Sequence, residues 1–139
     1  MTLVLQILAT ARALEKAGQR LFRPFGLSVA QFNVLNLLAD HPAGRPASHL
    51  AEALLVDPSN VTGLLNRLVR AGHLEERANP QDGRQRVVAL SPAGRRLWAR
   101  AAAAYADQLA AFEARFAARP RKVAAALLAE MAAAARQLP

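Results

Sequence analysis

The chain contains no cysteine, which excludes disulfides, thiolate zinc sites and thiol-based redox switching and fits a reducing cytoplasm. Aromatic residues make up only 5% of the sequence against 53% hydrophobic residues, so a core must be built largely from Leu, Ala and Val. That favours helices. Lysine is nearly missing as well: Lys16 and Lys122 are the only two, and every other Lys-or-Arg position is arginine. The preference reflects either phosphate-binding chemistry, which uses the guanidinium fork, or genomic base composition, and the alanine-rich, arginine-rich sequence points mainly to the second.

Long apolar runs are also lacking. No stretch approaches the roughly 18 apolar residues that span a bilayer, so no membrane partner is expected. The opening MTLVLQILATA imitates a secretory leader, with Ala9-Thr10-Ala11 resembling a cleavage site. No positive charge precedes the run, and Gln6 and Thr10 interrupt it, so it reads as part of the mature protein. Signatures of catalysis are thin too. His41, His49 and His73 are scattered without metal-ligand spacing, and most carboxylates fall where helix caps or exposed faces place them. With no nucleophile elbow or phosphate loop, neither an enzyme nor a metal or cofactor site is expected.

What the chain does have is positive charge. Eighteen basic residues against ten acids give +8 and a pI near 11.5, on 139 residues that suit one domain. A small basic domain of this kind expects a polyanion, whether nucleic acid, an anionic surface or an acidic protein.

The organising stretch is VDPSNVTGLLNRLVRAG, residues 56–72. Asp57-Pro58 is a helix start, a carboxylate for the free N–H groups followed by a residue whose φ is already helical. Val61, Leu64, Leu65 and Leu68 form one stripe that must be buried. Ser59, Thr62, Asn66, Arg67 and Arg70 make a polar side, with Gly63 near its centre. A mid-helix glycine costs about 1 kcal/mol relative to alanine, so its place on the exposed side suggests that another body comes close. Gly72 ends the helix.

Around this stretch the spacing predicts more helices. One runs from Thr2 to Phe25, with Leu3, Ile7, Leu14, Leu21 and Phe25 forming a seam near a heptad repeat that wants a partner. Ser28 caps the next, which buries Phe32, Leu35, Leu38 and Ala39. After a proline-ended loop, His41 to Pro46, a short helix from Ala47 to Leu55 is anchored by Leu50, Ala51 and Leu54. Joined to the next helix by a tight Val56-Asp57 turn, it outlines a helix-turn-helix.

Then the period changes. Residues 73–77 and 84–90 are extended runs around a tip at 78–83 that contains Asp82-Gly83, a turn dipeptide, so they read as a hairpin. Its Arg77, Arg84 and Arg86 make it a basic wing, suited to the phosphate backbone or the minor groove. Ser91-Pro92 opens a helix expected to run to about Arg119, some 40 Å, with Trp98, Ala102, Tyr105, Leu109, Phe112 and Phe116 on its buried side. Pro120 is expected to break it before a last helix, Arg121 to Leu138, carrying Val123, Leu127, Leu128 and Met131.

In this order the chain resembles the MarR family of winged-helix transcriptional regulators over nearly its whole length. The residues that carry the resemblance are Gly26-Leu27-Ser28, Gln31-Phe32, Val34-Leu35 and Leu50-Ala51-Glu52, then Val56-Asp57-Pro58-Ser59 and Val61-Thr62 with Leu68 and Gly72. Asp82-Gly83-Arg84, Val88, Leu90-Ser91 and Gly94 complete it. The implied fold is mainly α with a small β-hairpin wing (α+β): a winged helix-turn-helix lobe at 28–91 and a helical dimerisation region at 1–25 and 92–139. The implied function is that of a cytoplasmic homodimer bound to double-stranded DNA at a pseudo-palindromic operator. Many members repress and release DNA when a small phenolic or other aromatic effector enters a cleft. Position by position, Ser59, Asn60, Thr62, Gly63, Asn66 and Arg67 fall on the family's major-groove surface. The wing's D-x-R falls on Asp82 and Arg84, the carboxylate orienting the arginine; Arg70 and Arg86 join this DNA-binding set. Two departures stand out: Pro46-Ala47-Ser48 replaces the usual cap of the third helix, and the missing cysteine closes oxidant sensing.

Trp98, Tyr105, Phe25 and Phe32, together with Phe22, are candidates to line an effector pocket with Arg12 or His41 as polar groups; the competing reading of these aromatics is plain core. Two other functions compete with the ligand-released repressor. One is a basic helical protein that coats nucleic acid or anionic surfaces nonspecifically, which would spread its charge along one face. Here the arginines gather at 67, 70, 77, 84 and 86. The other is a dimeric regulator that answers to no ligand.

Overall fold

A computed structural model describes residues 2–54 and 58–138. The chain divides into two compact units, Met1–Tyr105 and Ala106–Pro139. The first holds α1 (Leu3–Phe22), α2 (Val29–Ala39), α3 (Ala47–Leu54), α4 (Pro58–Arg70), β1 (Leu74–Ala78), β2 (Arg86–Leu90) and α5 (Pro92–Glu113) as far as Tyr105. The second holds the rest of α5 and α6 (Ala118–Ala135).

The Thr2 hydroxyl accepts the Leu5 N–H at the start of α1. The helix then buries little but its end, Gly18 and Phe22, and leaves Leu3 and Leu14 of the expected seam, with Leu5 and Leu8 outside it, about half exposed. It stops three residues earlier than its apolar spacing predicts. Arg23–Phe25 form a 3-10 turn, because Pro24 has no N–H with which to extend an α-helix. Gly26 reverses the chain at φ 69°.

Ser28 and Gln31 form a reciprocal capping box that launches α2, with bonds of 3.1 and 2.9 Å. Phe32, Val34, Leu35 and Leu38 are buried in a core completed by Leu50 and Ala51 of α3 and by Val61, Leu65 and Leu68 of α4. The expected turn between α3 and α4, Leu55 through Asp57 with its carboxylate cap, lies outside the described residues. At the other end of α4, Gly72 (φ 78°) donates to Val69 O and His73 N–H to Leu68 O, the paired closure that satisfies the last carbonyls.

The hairpin pairs antiparallel from Leu74↔Leu90 to Ala78↔Arg86, so its first strand is shifted by one residue from the expected run, its second is two residues shorter, and the tip is correspondingly longer. Arg45 adds a single bridging residue beside Val88. Of the buried side expected for α5, Trp98, Ala102 and Tyr105 are half buried and pack on the first unit's core, beside Ala101, which is fully buried and was not among the expected residues.

In the second unit α5 ends at Glu113 rather than near Arg119, 22 residues or about 33 Å from its start. Pro120 is not the breaker the sequence suggested. It sits in the first turn of α6, where a missing N–H costs nothing, and the break falls at residues 114–117. An ion pair of 2.8 Å between Arg121 and Glu113 and an edge contact between Phe112 and Phe116 close this corner. Leu109, Phe112 and Phe116, expected to be buried, are 41 to 48% exposed, and α6 has no fully buried residue in the single chain.

Candidate nucleic-acid interface

The burial of Val61, Leu65 and Leu68 decides which side of α4 faces out. Ser59, Asn60, Thr62, Asn66, Arg67 and Arg70 are all exposed on the opposite side, and Gly63 is half buried among them. Among the described residues a Cβ added to Gly63 would meet only the far end of Arg67, at 3.7 Å, so none of them demands glycine there. The residue keeps its helix penalty with no reason among the described residues.

The hairpin next along the chain carries the other basic groups. Arg77 bonds Glu75 on its own strand and, at 3.1 Å, the Pro42 carbonyl; Arg86 faces Glu76 across the ladder at 3.6 Å. Exposed pairs of this kind contribute about 0 to 1 kcal/mol. They nevertheless occupy the two guanidinium groups. Arg84 at the tip is exposed and makes no ion pair among the described residues. Asp82 was expected to orient that guanidinium, but its carboxylate instead accepts the Arg84 backbone N–H at 3.1 Å, shaping the tip rather than steering the side chain. The Asn79 N–H donates to Gln85 O across the base of the same tip.

Of the six residues expected around an effector pocket, Phe25, Phe32, Trp98 and Tyr105 belong to one core cluster, and Arg12 and His41 do not. Phe32 stacks on Phe22 with centroids 4.2 Å apart, and Tyr105 meets both rings at 5.4 and 5.7 Å, so these aromatics fill the core. Trp98 donates its Nε1–H to Asn36, Phe25 lies 5.7 Å beneath Arg100, and Arg12 is exposed on α1. His41 sits apart at the end of α2, its Nδ1 donating to Leu37 O at 2.8 Å. It lines two clefts on the winged unit, and none of the other five residues lines either. Arg45 and His49 line both clefts with it, and sequence reasoning missed them. A single residue bridging to β2 leaves no periodic trace, and the one available signal was an arginine held between Gly44 and Pro46.

Among the described residues no group of three or more His, Cys, Asp or Glu side chains is placed to hold a metal ion. No described helix is long and apolar enough to cross a membrane.

Residues 25–85 match the model of the MarR family. The transcriptional activatory protein BadR of Rhodopseudomonas palustris is 34% identical over 90 residues, 63% of this chain. The matched region spans about half, 51%, of that relative's length. The PcaV transcriptional regulator of Streptomyces coelicolor is 30% identical, with 94% of this chain and 97% of that one covered and a TM-score of 0.71. Its complex with its natural ligand gives 0.78 at 29% identity. MepR of S. aureus, solved as a DNA complex, shares the fold at a TM-score of 0.88 and 17% identity, over 96% of this chain and 98% of that one.

Proposed function

Because the chain belongs to the MarR family of DNA-binding transcriptional regulators, we propose that it acts as a homodimer on a pseudo-palindromic operator and is released by a small ligand. One observation carries the reading: α4 turns Asn60, Asn66, Arg67 and Arg70 to solvent, while Arg84 on the following hairpin has no carboxylate of its own among the described residues. The first set suits base edges and phosphates in a major groove, with Ser59, Thr62 and Gly63 allowing close approach. Arg84, with Arg86 and the turn-forming Asp82 beside it, suits the adjoining minor groove or backbone.

Residues 28–91 form the DNA-binding lobe in this reading, and 1–25 with 92–139 the dimerisation region. Support for a second copy comes from the half-exposed leucines of α1 and from α6, which offers Val123, Leu127 and Leu128 to solvent. A helix without a buried face gains too little from propensity alone to stay ordered in water. Each gains a face in a pair. The proposed place of action is the cytoplasm, where such a regulator meets the chromosome.

Response to a ligand draws on PcaV, which was solved with its natural ligand. The sign of regulation has a second reading, activation, favoured by the name of BadR. The same DNA-binding surface serves either sign, depending on where the operator lies relative to the promoter.

The test is fluorescence anisotropy of the full chain on the DNA flanking its gene and on a scrambled duplex, at equal salt. A specific regulator separates them by about a thousandfold or more. Similar affinities would mean a nonspecific polyanion binder and end the proposal. A transcription assay on the same fragment, with and without protein, decides repression from activation.

A further inference from the structure

The hairpin hides apolar residues on both of its faces. Val88 and Leu90 of β2 belong to the main core, whereas Val87 and Ala89 stand outside the cluster formed by the described residues and are still only 2% and 1% exposed. Alternate strand residues face opposite ways, so these two lie on the side turned from that core. Their partners across the ladder, on the same face, are Arg77 and Glu75. The 41–46 loop closes on them as well: a Cβ on Gly44 would lie 3.0 Å from a Val87 methyl, and Arg45 exchanges two main-chain bonds of 2.9 Å with Val88.

One side chain links the outer strand to that loop. Arg77 donates its Nε–H to the Glu75 carboxylate at 2.9 Å, Nη2 reaches the same oxygen, and Nη1 donates at 3.1 Å to the carbonyl of Pro42, 35 residues earlier. The loop is therefore tied to both strands, to β2 through its main chain and to β1 through this guanidinium. The ladder has only one more pair, Ala78↔Arg86, before the tip that carries Arg84. An isolated two-stranded ribbon is marginally stable, and holding it in place before a partner arrives removes an ordering cost from binding.

We propose that Arg77 is a positioning residue for the wing. It straps the hairpin to the 41–46 loop and fixes the direction in which Arg84 is offered to a duplex, while its own guanidinium touches no phosphate. Three of its donors are already engaged within the chain, which sets it apart from Arg84, unpaired among the described residues. The consequence for DNA rests on the regulator reading above; the strap itself does not.

The test begins without DNA, by hydrogen exchange in the full chain. The Arg77 side chain is 45% exposed, so Arg77→Ala keeps the wild-type helical content. It speeds exchange of the Arg45, Asn79 and Val88 N–H groups by about threefold or more, while those of Gly72 and His73 at the end of α4 keep wild-type rates. In a second arm, anisotropy on the DNA flanking the gene, Arg77→Ala weakens binding about three- to tenfold without changing the slope of log K against log salt, which loss of a phosphate contact lowers by about one. In an Arg84→Ala background the same substitution costs less than about twofold, because the group it positions is gone. Unchanged exchange overturns the strap. A slope lowered by about one makes Arg77 a phosphate contact and overturns the proposal, as does a loss in the Arg84→Ala background equal to that in the wild type. Faster exchange with unchanged operator affinity leaves the strap nothing to position and overturns it too. Faster exchange in a protein that discriminates no operator would instead sink the regulator reading and leave the strap standing.

Discussion

A methyl group on Gly94 would overlap the carbonyl oxygen of His73. Ser91 ties the same corner, its Oγ donating to Gly72 O at 2.6 Å and accepting the Gly94 N–H at 2.9 Å. The start of α5 thus presses directly on the backbone where α4 ends and β1 begins. Gly94→Ala forces backbone to move, so it is expected to lower stability by about 2 to 3 kcal/mol. Urea unfolding followed by circular dichroism measures this, and an unchanged midpoint contradicts the joint.

Arg84→Ala should weaken operator binding at low salt and reduce the slope of log K against log salt by about one. Helical content stays as in the wild type, because the side chain is exposed and unpaired among the described residues. Equal affinity at every salt concentration would take the wing out of the mechanism.

Asn66→Ala is expected to alter which base is preferred at one position of each half-site by about 1 to 3 kcal/mol, with a smaller change in affinity for mixed sequence. Selection from a randomised operator pool reads the preference. A uniform loss across sequences makes Asn66 a positioning contact.

Leu128 is 52% exposed in the single chain, so Leu128→Asp removes only part of a leucine's packing within it. Across a pair it buries an unpaired carboxylate, at a cost of several kcal/mol. Light scattering should then report a monomer, with operator affinity down by about a hundredfold or more as the second half-site is lost. A monomeric variant that holds the operator as tightly as wild type refutes the shared-helix architecture.

Local chemistry made much of the fold legible. The Ser28 cap, the Gly72 reversal and the stripe of Val61, Leu64, Leu65 and Leu68 are each specified by neighbours within four residues, and each appears in the structure, with Leu64 half buried. The errors arose where one residue type has two meanings. Proline stops a helix at 24, where α1 gives way to a 3-10 turn, but at 120 the same residue sits harmlessly in a first turn. Aromatics at helical spacing stand for either pocket or core, and Phe32 settled against Phe22. The clefts around Arg45 depend on a contact between residues 45 and 88, which no local pattern encodes.

The sequence contains one tryptophan, and its indole N–H is bonded at 3.1 Å to Asn36, 62 positions earlier. Intrinsic emission excited at the red edge therefore originates from a single spot, where α5 leans on α2. Any event that loosens this contact, from heating to effector capture, should change that spectrum without a dye or an engineered probe.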